Sequence, residues 1–285
     1  MIQRCGPAAL CVALLAASCV GVAAAPAAGT STGEPLRVCA DPDNLPFSNR
    51  AGEGFENRIA TELAKDLGKS SVEYTWFPQR MGFVRNTLKK KDDTTGQFAC
   101  DVIIGVPAGY ELTATTKPYM RSTYALIHAG RPQFASLKTA DDLLKLPPAD
   151  LQKLKIGVFA QSPGADWLLR NGLLEHAVMY AAQSGDPSVN PALVIANELG
   201  EKKIDLAIVW GPIAGYLVRE HSGSSSAWAV VPFAHDPTIK FDYEIAMGAR
   251  FGEKEWKAQL DRWIDSHRDA VAKILSEYRV PLLQQ

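Results

Sequence analysis

The segment 36–68 constrains the fold more than any other part of this chain. Its first five residues have the composition of a short apolar strand, and a polar loop with two prolines follows and ends at Phe47. Apolar side chains then recur every four residues from Phe55 to Leu67, which is the spacing of one face of a helix. A strand, a loop at its carboxyl end and a returning helix predict half of a βαβ unit. In open α/β sheets such loops line ligand crevices.

The first 25 residues have the composition of a secretory signal peptide. Arg4 is their only charged residue, and they end in alanines that offer a cleavage site. The apolar run is too short and too weakly flanked to predict a membrane span. A lipoprotein leader ending before Cys19 is an alternative, although Ala16 stands where such a signal usually has Leu. We expect a leader over 1–25 and a mature chain exported to the periplasm.

The charge of the mature chain excludes two classes of partner. The whole sequence has 30 basic and 31 acidic residues, and the leader removes one Arg, which leaves 29 against 31, or −2. Nucleic-acid binding normally requires a strongly basic face, and adhesion to an anionic membrane requires a basic cluster. Neither partner is expected.

Strand and helix patterns alternate along the mature chain. Strands are expected over 101–106 and 119–128 among others, and helices over 79–91 and 253–275 among others. Alternating elements of this kind predict parallel sheets flanked by helices.

The length of the chain predicts two lobes. Removing 25 of 285 residues leaves 260, which is more than one ordinary core holds. We expect lobe 1 over 34–129 plus 236–285 and lobe 2 over 130–235. Two extended crossings, near 127–133 and 233–243, would join the lobes and leave a ligand cleft between them.

Two cysteines remain after the leader is removed, Cys39 and Cys100. An oxidising compartment favours a disulfide between them. Strand geometry argues the other way. If the strands that carry them are parallel neighbours, the two sulfurs are offset by four to five residues of rise, roughly 14 Å. That separation exceeds what a disulfide tolerates.

Several segments in order carry a family resemblance. They read RVCADPDNLPFSN, GEGFENRIA, TWFPQRMGFVRNTL, CDVIIGVPAGY and TTKPYMRSTYAL. Over essentially the whole mature chain, they resemble periplasmic solute-binding proteins of the amino-acid-binding class. The resemblance is closer to the J component of methanol-oxidation systems (the MxaJ/XoxJ type). It implies the two-lobed periplasmic binding protein fold (type II-like), each lobe a mostly parallel sheet flanked by helices.

The same resemblance implies a role and a partner. The chain would be a non-enzymatic accessory factor for the assembly or activation of a methanol or alcohol dehydrogenase that uses pyrroloquinoline quinone (PQQ). That quinoprotein is the implied partner, with its cytochrome c as a candidate second one. PQQ and a calcium or lanthanide ion would belong to the dehydrogenase, so no cofactor is expected in this chain.

Two departures from the amino-acid-binding class bear on the ligand. Proteins of that class typically hold the ligand carboxylate with an Arg shortly after the third strand, because only Arg makes that contact bidentate. Thr113 stands at that place here, and Trp210 stands where an Asp usually meets the ammonium group. A free α-amino acid is therefore not the expected ligand.

The expected binding residues lie after strands or at the start of the following helix. They are Asp41, Asn44, Phe47, Glu56, Arg80, Met81, Gly105, Pro107, Gln161, Ser162 and Trp210. Walls of Trp, Phe and Met suit an aromatic or apolar group, such as a partner's side chain, better than a small ion. The competing interpretations make Phe47 a core residue and Arg80 a solvated charge or an ion-pair partner of Glu56.

Little in the sequence indicates catalysis. The five histidines are scattered without metal-ligand spacing, and no nucleophile, phosphate or dinucleotide motif is present. Two alternative functions stay open beside the accessory role. One is a transporter subunit that binds a small solute other than an amino acid. The other is a dehydratase-like enzyme on the same fold, with Glu56 or Asp166 as its acid or base.

Overall fold

The computed structural model describes residues 33–182, 190–221, 223 and 228–284. The predicted leader, 1–25, lies outside these residues. The strands are β1 (Leu36–Ala40), β2 (Asp43–Asn44), β3 (Ser48–Asn49), β4 (Val72–Trp76), β5 (Val102–Pro107), β6 (Ala114–His128), β7 (Ile156–Phe159), β8 (Ala177–Tyr180), β9 (Leu206–Trp210), β10 (Ala229–Pro232) and β11 (Asp242–Ala249).

Eight α-helices accompany these strands within the described residues. They are α1 (Phe55–Asp66), α2 (Phe83–Asn86), α3 (Pro148–Leu151), α4 (Pro163–Arg170), α5 (Pro191–Gly200), α6 (Gly211–Glu220), α7 (Lys254–Ser266) and α8 (Arg268–Glu277). Short 3-10 helices cover Pro132–Phe134, Ala140–Lys145 and Leu174–His176. None of the helices described combines the length and the apolar character needed to cross a membrane.

The strands form one large sheet and one small hairpin. In the large sheet the order is β4-β1-β5-β11-β6-β9-β7-β8, and β10 also pairs with β6; β2 pairs only with β3. Strand β1 is parallel to β4 and β5, and β7 is parallel to β8 and β9. The expected α/β class, with a large sheet flanked by helices, is confirmed. The lobe boundaries at 34–129 plus 236–285 and 130–235 stay a prediction.

Strands β6 and β11 depart from the parallel pattern, because each is antiparallel to all of its described partners. β11 lies between β5 and β6 and is antiparallel to both, so β5 and β6 run in the same direction although only residues 108–113 separate them in sequence. β6 is 15 residues long, so it pairs with β11 along its first part and with β9 and β10 along its last.

Helix α1 confirms the helix predicted from the four-residue spacing. Its face of Phe55, Ile59 and Leu63 is completely buried in the largest apolar cluster of the protein. The chain enters the helix at Gly54, where a Cβ would lie 2.1 Å from the carbonyl oxygen of Phe47. Only glycine allows this close approach, so the entry to α1 is fixed against the loop that follows β1.

Two predicted helices are corrected. The helix expected over 79–91 is wrong, because only the four residues of α2 are helical. Gly82 precedes α2 with a φ of 88°, a left-handed conformation that ends any helix arriving from residue 79. The helix expected over 253–275 is divided at His267. There the hydroxyl of Ser266 lies 3.0 Å from the carbonyl oxygens of both Arg262 and Trp263, between which its single proton is shared, and this side-chain bonding competes with the helical pattern.

A disulfide joins Cys39 and Cys100, so the strand-geometry argument against it is wrong. The register pairs Cys39 with Ile103, three positions beyond Cys100. The chain bends at Ala99 and Asp101, so Cys100 is not part of the extended strand. This bend brings the two Cα atoms to 5.4 Å, well inside disulfide range, and both cysteines are buried with Ile103 in one small apolar cluster.

Replacing both Cys39 and Cys100 by Ser should destabilise the folded protein. The bridge closes a loop with a sequence separation of 61 residues, and loss of such a bridge costs about 2–4 kcal/mol of unfolding free energy. Urea unfolding followed by circular dichroism measures the change. The reduced wild type should unfold at the same urea concentration as the double Ser variant. Equal midpoints for the oxidised wild type and the variant would contradict the prediction.

Candidate binding site

The carboxylate of Asp41 joins two loops at one edge of the sheet. One oxygen accepts a hydrogen bond from the backbone N–H of Asp43 at 2.9 Å, and the other accepts from the backbone N–H of Gln79. The hydroxyl of Ser48 donates to the Asp41 carbonyl oxygen at 2.9 Å and accepts from the Asp41 N–H at 3.2 Å. The loop after β1, with its β2–β3 hairpin, is thereby attached to the loop after β4.

A cavity of about 150 Å³ lies beside these loops. Its described lining consists of Phe47, Glu56, Gln79, Gly105, Val106, Pro107, Met120, Trp210 and Ile245. Five of the residues expected from the sequence come together here, namely Phe47, Glu56, Gly105, Pro107 and Trp210. The cavity therefore combines residues from the first half of the chain with Trp210 at the end of β9 and Ile245 of β11.

Glu56 is the one ionisable residue in the described lining of this cavity. It lies in the first turn of α1 and is only 8% exposed. Burial, with a further contribution from the charge of Asp41, raises the pKa of Glu56 from 4.5 to about 8. A Cβ at Gly105 would lie 2.0 Å from Oε1 of Glu56, so the carboxyl group packs directly against glycine backbone. At neutral pH the carboxyl group is largely protonated.

A second buried polar group lies close to this carboxyl. The hydroxyl of Tyr119 has no hydrogen-bond partner within the described part of the chain, although the residue is only 7% exposed. A Cβ at Gly105 would be 3.5 Å from this hydroxyl. Burial first, and then the charge of Glu56, raise the pKa of Tyr119 well above its ordinary value. The acid and the phenol therefore lie on the same side of Gly105.

Aromatic rings form the walls of the cavity. Trp210 lies opposite Tyr124 in the β6–β9 ladder, and its ring centroid is 5.5 Å from that of Tyr124 and 5.7 Å from that of Tyr243. Phe47 makes an edge contact with Phe55 at 5.4 Å. Each wall ring is thus supported from behind by other rings, in the offset geometries that aromatic side chains prefer.

Two of the expected residues support the cavity without lining it, and two line a neighbouring groove. Asp41 holds the loops, and the amide of Asn44 donates to Oε1 of Gln79 at 3.2 Å. Arg80 and Met81 line a groove of about 460 Å³ that shares Gln79 with the cavity.

Two expected residues of the second half of the chain, Gln161 and Ser162, lie away from the cavity. Ser162 caps α4, because its hydroxyl donates to the Phe159 carbonyl oxygen at 2.7 Å and accepts from the Ala165 N–H at 3.4 Å. Gln161 precedes it with a φ of 58° and is exposed. Asp166, the alternative catalytic carboxylate, is exposed on α4 and does not line the cavity.

Sequence reasoning missed four residues of this site, which are Gln79, Tyr119, Met120 and Ile245. Gln79 is the sequence neighbour of the expected Arg80, and Val106 lies within the segment 105–108 that the sequence placed at the site. The other three come from β6 and β11, whose antiparallel pairing brings Met120 opposite Ile245. No local pattern in the sequence signals that pairing.

The described lining of the cavity contains no Arg, Lys or His. Thr113, at the place of the class's usual Arg, is 3% exposed, and its hydroxyl has no partner in the described residues. Across the described chain, no group of three or more His, Cys, Asp or Glu side chains is arranged to hold a metal ion. The cavity therefore presents aromatic and aliphatic surface together with one carboxylic acid, and the buried hydroxyl of Tyr119 lies near that acid but outside the described lining.

Replacing Glu56 by Gln should change how stability depends on pH. The folded protein keeps the Glu56 proton up to about pH 8, whereas the unfolded chain loses it near pH 4.5. The wild type should therefore lose stability as the pH rises through this interval, by up to roughly 5 kcal/mol, with no further loss from this group at higher pH.

Urea unfolding at several pH values between 5 and 8.5 tests this expectation. The Glu56→Gln variant should lose less stability than the wild type over that range, because Gln has no proton to lose. Glu73→Gln, at an exposed position of β4, is the matched control and should follow the wild type. Parallel profiles for the wild type and Glu56→Gln would show that Glu56 titrates normally.

Comparison with known proteins identifies the relatives of this chain. No protein-family model matches it. The crystal structure of the periplasmic binding protein XoxJ from Methylobacterium extorquens AM1 is 36% identical, covers 88% of this chain and 100% of its own, and superposes with a TM-score of 0.68. Protein MoxJ of Methylorubrum extorquens is 28% identical over 276 residues, which are 92% of this chain and 84% of that protein. Protein MoxJ of Paracoccus denitrificans is 28% identical over 292 residues, covering 99% and 97% of the two chains. The fold, the motifs and the full-length match to XoxJ show that this chain belongs to the MoxJ/XoxJ family of periplasmic binding proteins.

Proposed function

We propose that this protein serves a PQQ-dependent methanol or alcohol dehydrogenase in the periplasm by binding an exposed segment of that enzyme. Binding would assist assembly or activation of the dehydrogenase, whose quinone and metal ion belong to the enzyme and not to this chain. The resemblance of the ordered sequence segments to the J component of methanol-oxidation systems supports this partner. The similarity to XoxJ and MoxJ is consistent with it.

The size of the cavity is the observation that carries the proposal. Pockets for small-molecule ligands usually measure about 300–1,000 Å³. This cavity has about 150 Å³, a volume that in another protein holds a single benzene-sized group. One aromatic or aliphatic side chain of a partner has the size that fits this space.

The chemistry of the walls supports the same conclusion. Trp210 and Phe47 are rigid rings already held by their neighbours, so little conformational entropy is lost when a partner's side chain packs between them. Buried aromatic anchors of this kind dominate the binding energy of many protein interfaces. A zwitterionic amino acid would find no cation in the described lining for its carboxylate.

Acid–base catalysis is a second candidate, because a carboxyl group with a pKa near 8 in a cavity is typical of functional sites. Tyr119 beside Glu56 adds a second proton carrier. Asp166 is exposed and outside the described lining, so the cavity offers a single carboxyl rather than a pair. A single neutral carboxyl group is better suited to hydrogen-bond a bound group than to acid–base catalysis that requires two carboxylates.

The mature protein should bind the apo form of a quinoprotein dehydrogenase more tightly than its holo form. Trp210→Ala should weaken that binding by about thirtyfold, which corresponds to the 2 kcal/mol expected for an aromatic hot spot. Immobilised mature protein, titrated with purified apo and holo enzyme, gives both affinities.

Trp76→Ala provides the matched control for this experiment. Trp76 is also partly exposed and stacks on Tyr74 at 4.6 Å, but it does not line the cavity. Its replacement should leave the affinity unchanged.

If neither enzyme form bound, and a small solute raised the melting temperature instead, the protein would be a transporter subunit. If Glu56→Gln abolished turnover of a substrate, it would be an enzyme.

A further inference from the structure

The groove next to the cavity has an unusual lining. Gln79, Val106 and Pro107 belong to both spaces, so the groove adjoins the cavity. We call it the arginine groove. Its described lining is Gln79, Arg80, Met81, Gly82, Phe83, Val84, Arg85, Val106, Pro107, Tyr110 and Leu112, and its volume is about 460 Å³.

Large apolar side chains face solvent in this groove. Met81 is 95% exposed and Leu112 is 47% exposed. Single exposed apolar residues are ordinary, but a group of them around one concave surface is typical of an interaction site.

The exposed Met81 is held by a defined turn. The N–H of Phe83 donates to the Arg80 carbonyl oxygen at 2.9 Å, and Gly82 adopts the positive φ that this turn needs. The preceding Gln79 is attached to Asp41 and, through its side chain, to the Gly105 carbonyl oxygen at 3.4 Å. A partner that covered Met81 would therefore meet a surface that is already organised.

Two cations of the groove have no carboxylate beside them. Arg80 and Arg85 form no ion pair with any described residue, in contrast to Arg121, which pairs with Asp242 at 2.9 Å. No acidic residue belongs to the described lining; Glu111 is exposed next to it in sequence but is not part of it. Apolar surface beside two guanidinium groups that have no ion-pair partner among the described residues fits an apolar segment that carries carboxylates.

We infer that the arginine groove binds a segment of the partner protein in which apolar residues adjoin one or two carboxylates. The inference rests on the proposed function and adds the chemistry of the partner's segment to it. One apolar side chain of that segment enters the cavity, the residues beside it cover Met81 and Leu112, and its carboxylates pair with Arg80 and Arg85. A protein occupant is favoured over an anionic membrane or a nucleic acid, because two cations in a chain of net charge −1 are too few to hold a polyanionic surface.

The double variant Arg80→Glu/Arg85→Glu tests the inference on the intact mature protein. Its affinity for the apo-dehydrogenase should fall at least about tenfold, and the remaining binding should depend less on salt, because rim charges act through screened attraction. Arg262→Glu/Lys273→Glu changes the net charge equally at two exposed helical positions outside the groove. This control should bind like the wild type.

A pair of capped peptides tests the groove without the dehydrogenase. One peptide has four apolar residues between two pairs of glutamates, and the other has lysines in place of the glutamates. The wild type should bind the glutamate peptide at least about tenfold more tightly, and Arg80→Glu/Arg85→Glu should reverse the preference. Fluorescence anisotropy of labelled peptides gives both affinities.

The outcomes separate this inference from the proposed function. Equal affinity for the two peptides, or Arg-dependent stabilisation by free benzoate with no peptide binding, would overturn the inference. Binding of the apo-enzyme that needs Trp210 but ignores both arginines would do the same and leave the proposed function intact. The expected peptide preference without any binding of a dehydrogenase would support the groove's chemistry and reject the proposed partner.

Discussion

The carboxylate of Asp41 is the contact on which both binding surfaces depend. It accepts hydrogen bonds from the loop that contains Phe47 and from Gln79, at the base of the turn that exposes Met81. Its negative charge also adds to the burial that raises the pKa of Glu56. One side chain therefore positions the wall of the cavity, positions the edge of the arginine groove and helps to keep the cavity's acid neutral.

The sequence predicted those secondary-structure elements that depend on the spacing of neighbouring residues. The four-residue spacing after Phe55 predicted α1, and positions after strands selected Phe47 and Trp210 as candidate binding residues, both of which line the cavity. Tyr119 and Ile245 were not identified, because they come from antiparallel strands whose pairing spans more than a hundred residues. The prediction of a helix over 79–91 was wrong because Gly82 adopts a left-handed conformation, which interrupts a helix whatever the pattern of the surrounding residues.

Thr113 and Trp210, which stand where the amino-acid-binding class usually has charged residues, change the chemistry of the site in the same direction. Where that class has two opposite charges for a zwitterion, this chain has a buried hydroxyl at Thr113 and an indole at Trp210. Glu56 adds no fixed charge at neutral pH, because burial keeps it protonated. The cavity therefore selects for shape and apolar surface. Selection by charge depends instead on Arg80 and Arg85 in the arginine groove. A protein segment can satisfy both parts at once.

The disulfide restrains the strand that leads into the binding loop. Cys39 lies two residues before Asp41, so the bridge to Cys100 restrains the strand end from which the binding loop departs. A reduced chain lacks that restraint, and the loop is free to sample more conformations before the sulfurs join. Oxidation therefore adds a covalent restraint at the strand end from which the binding loop departs.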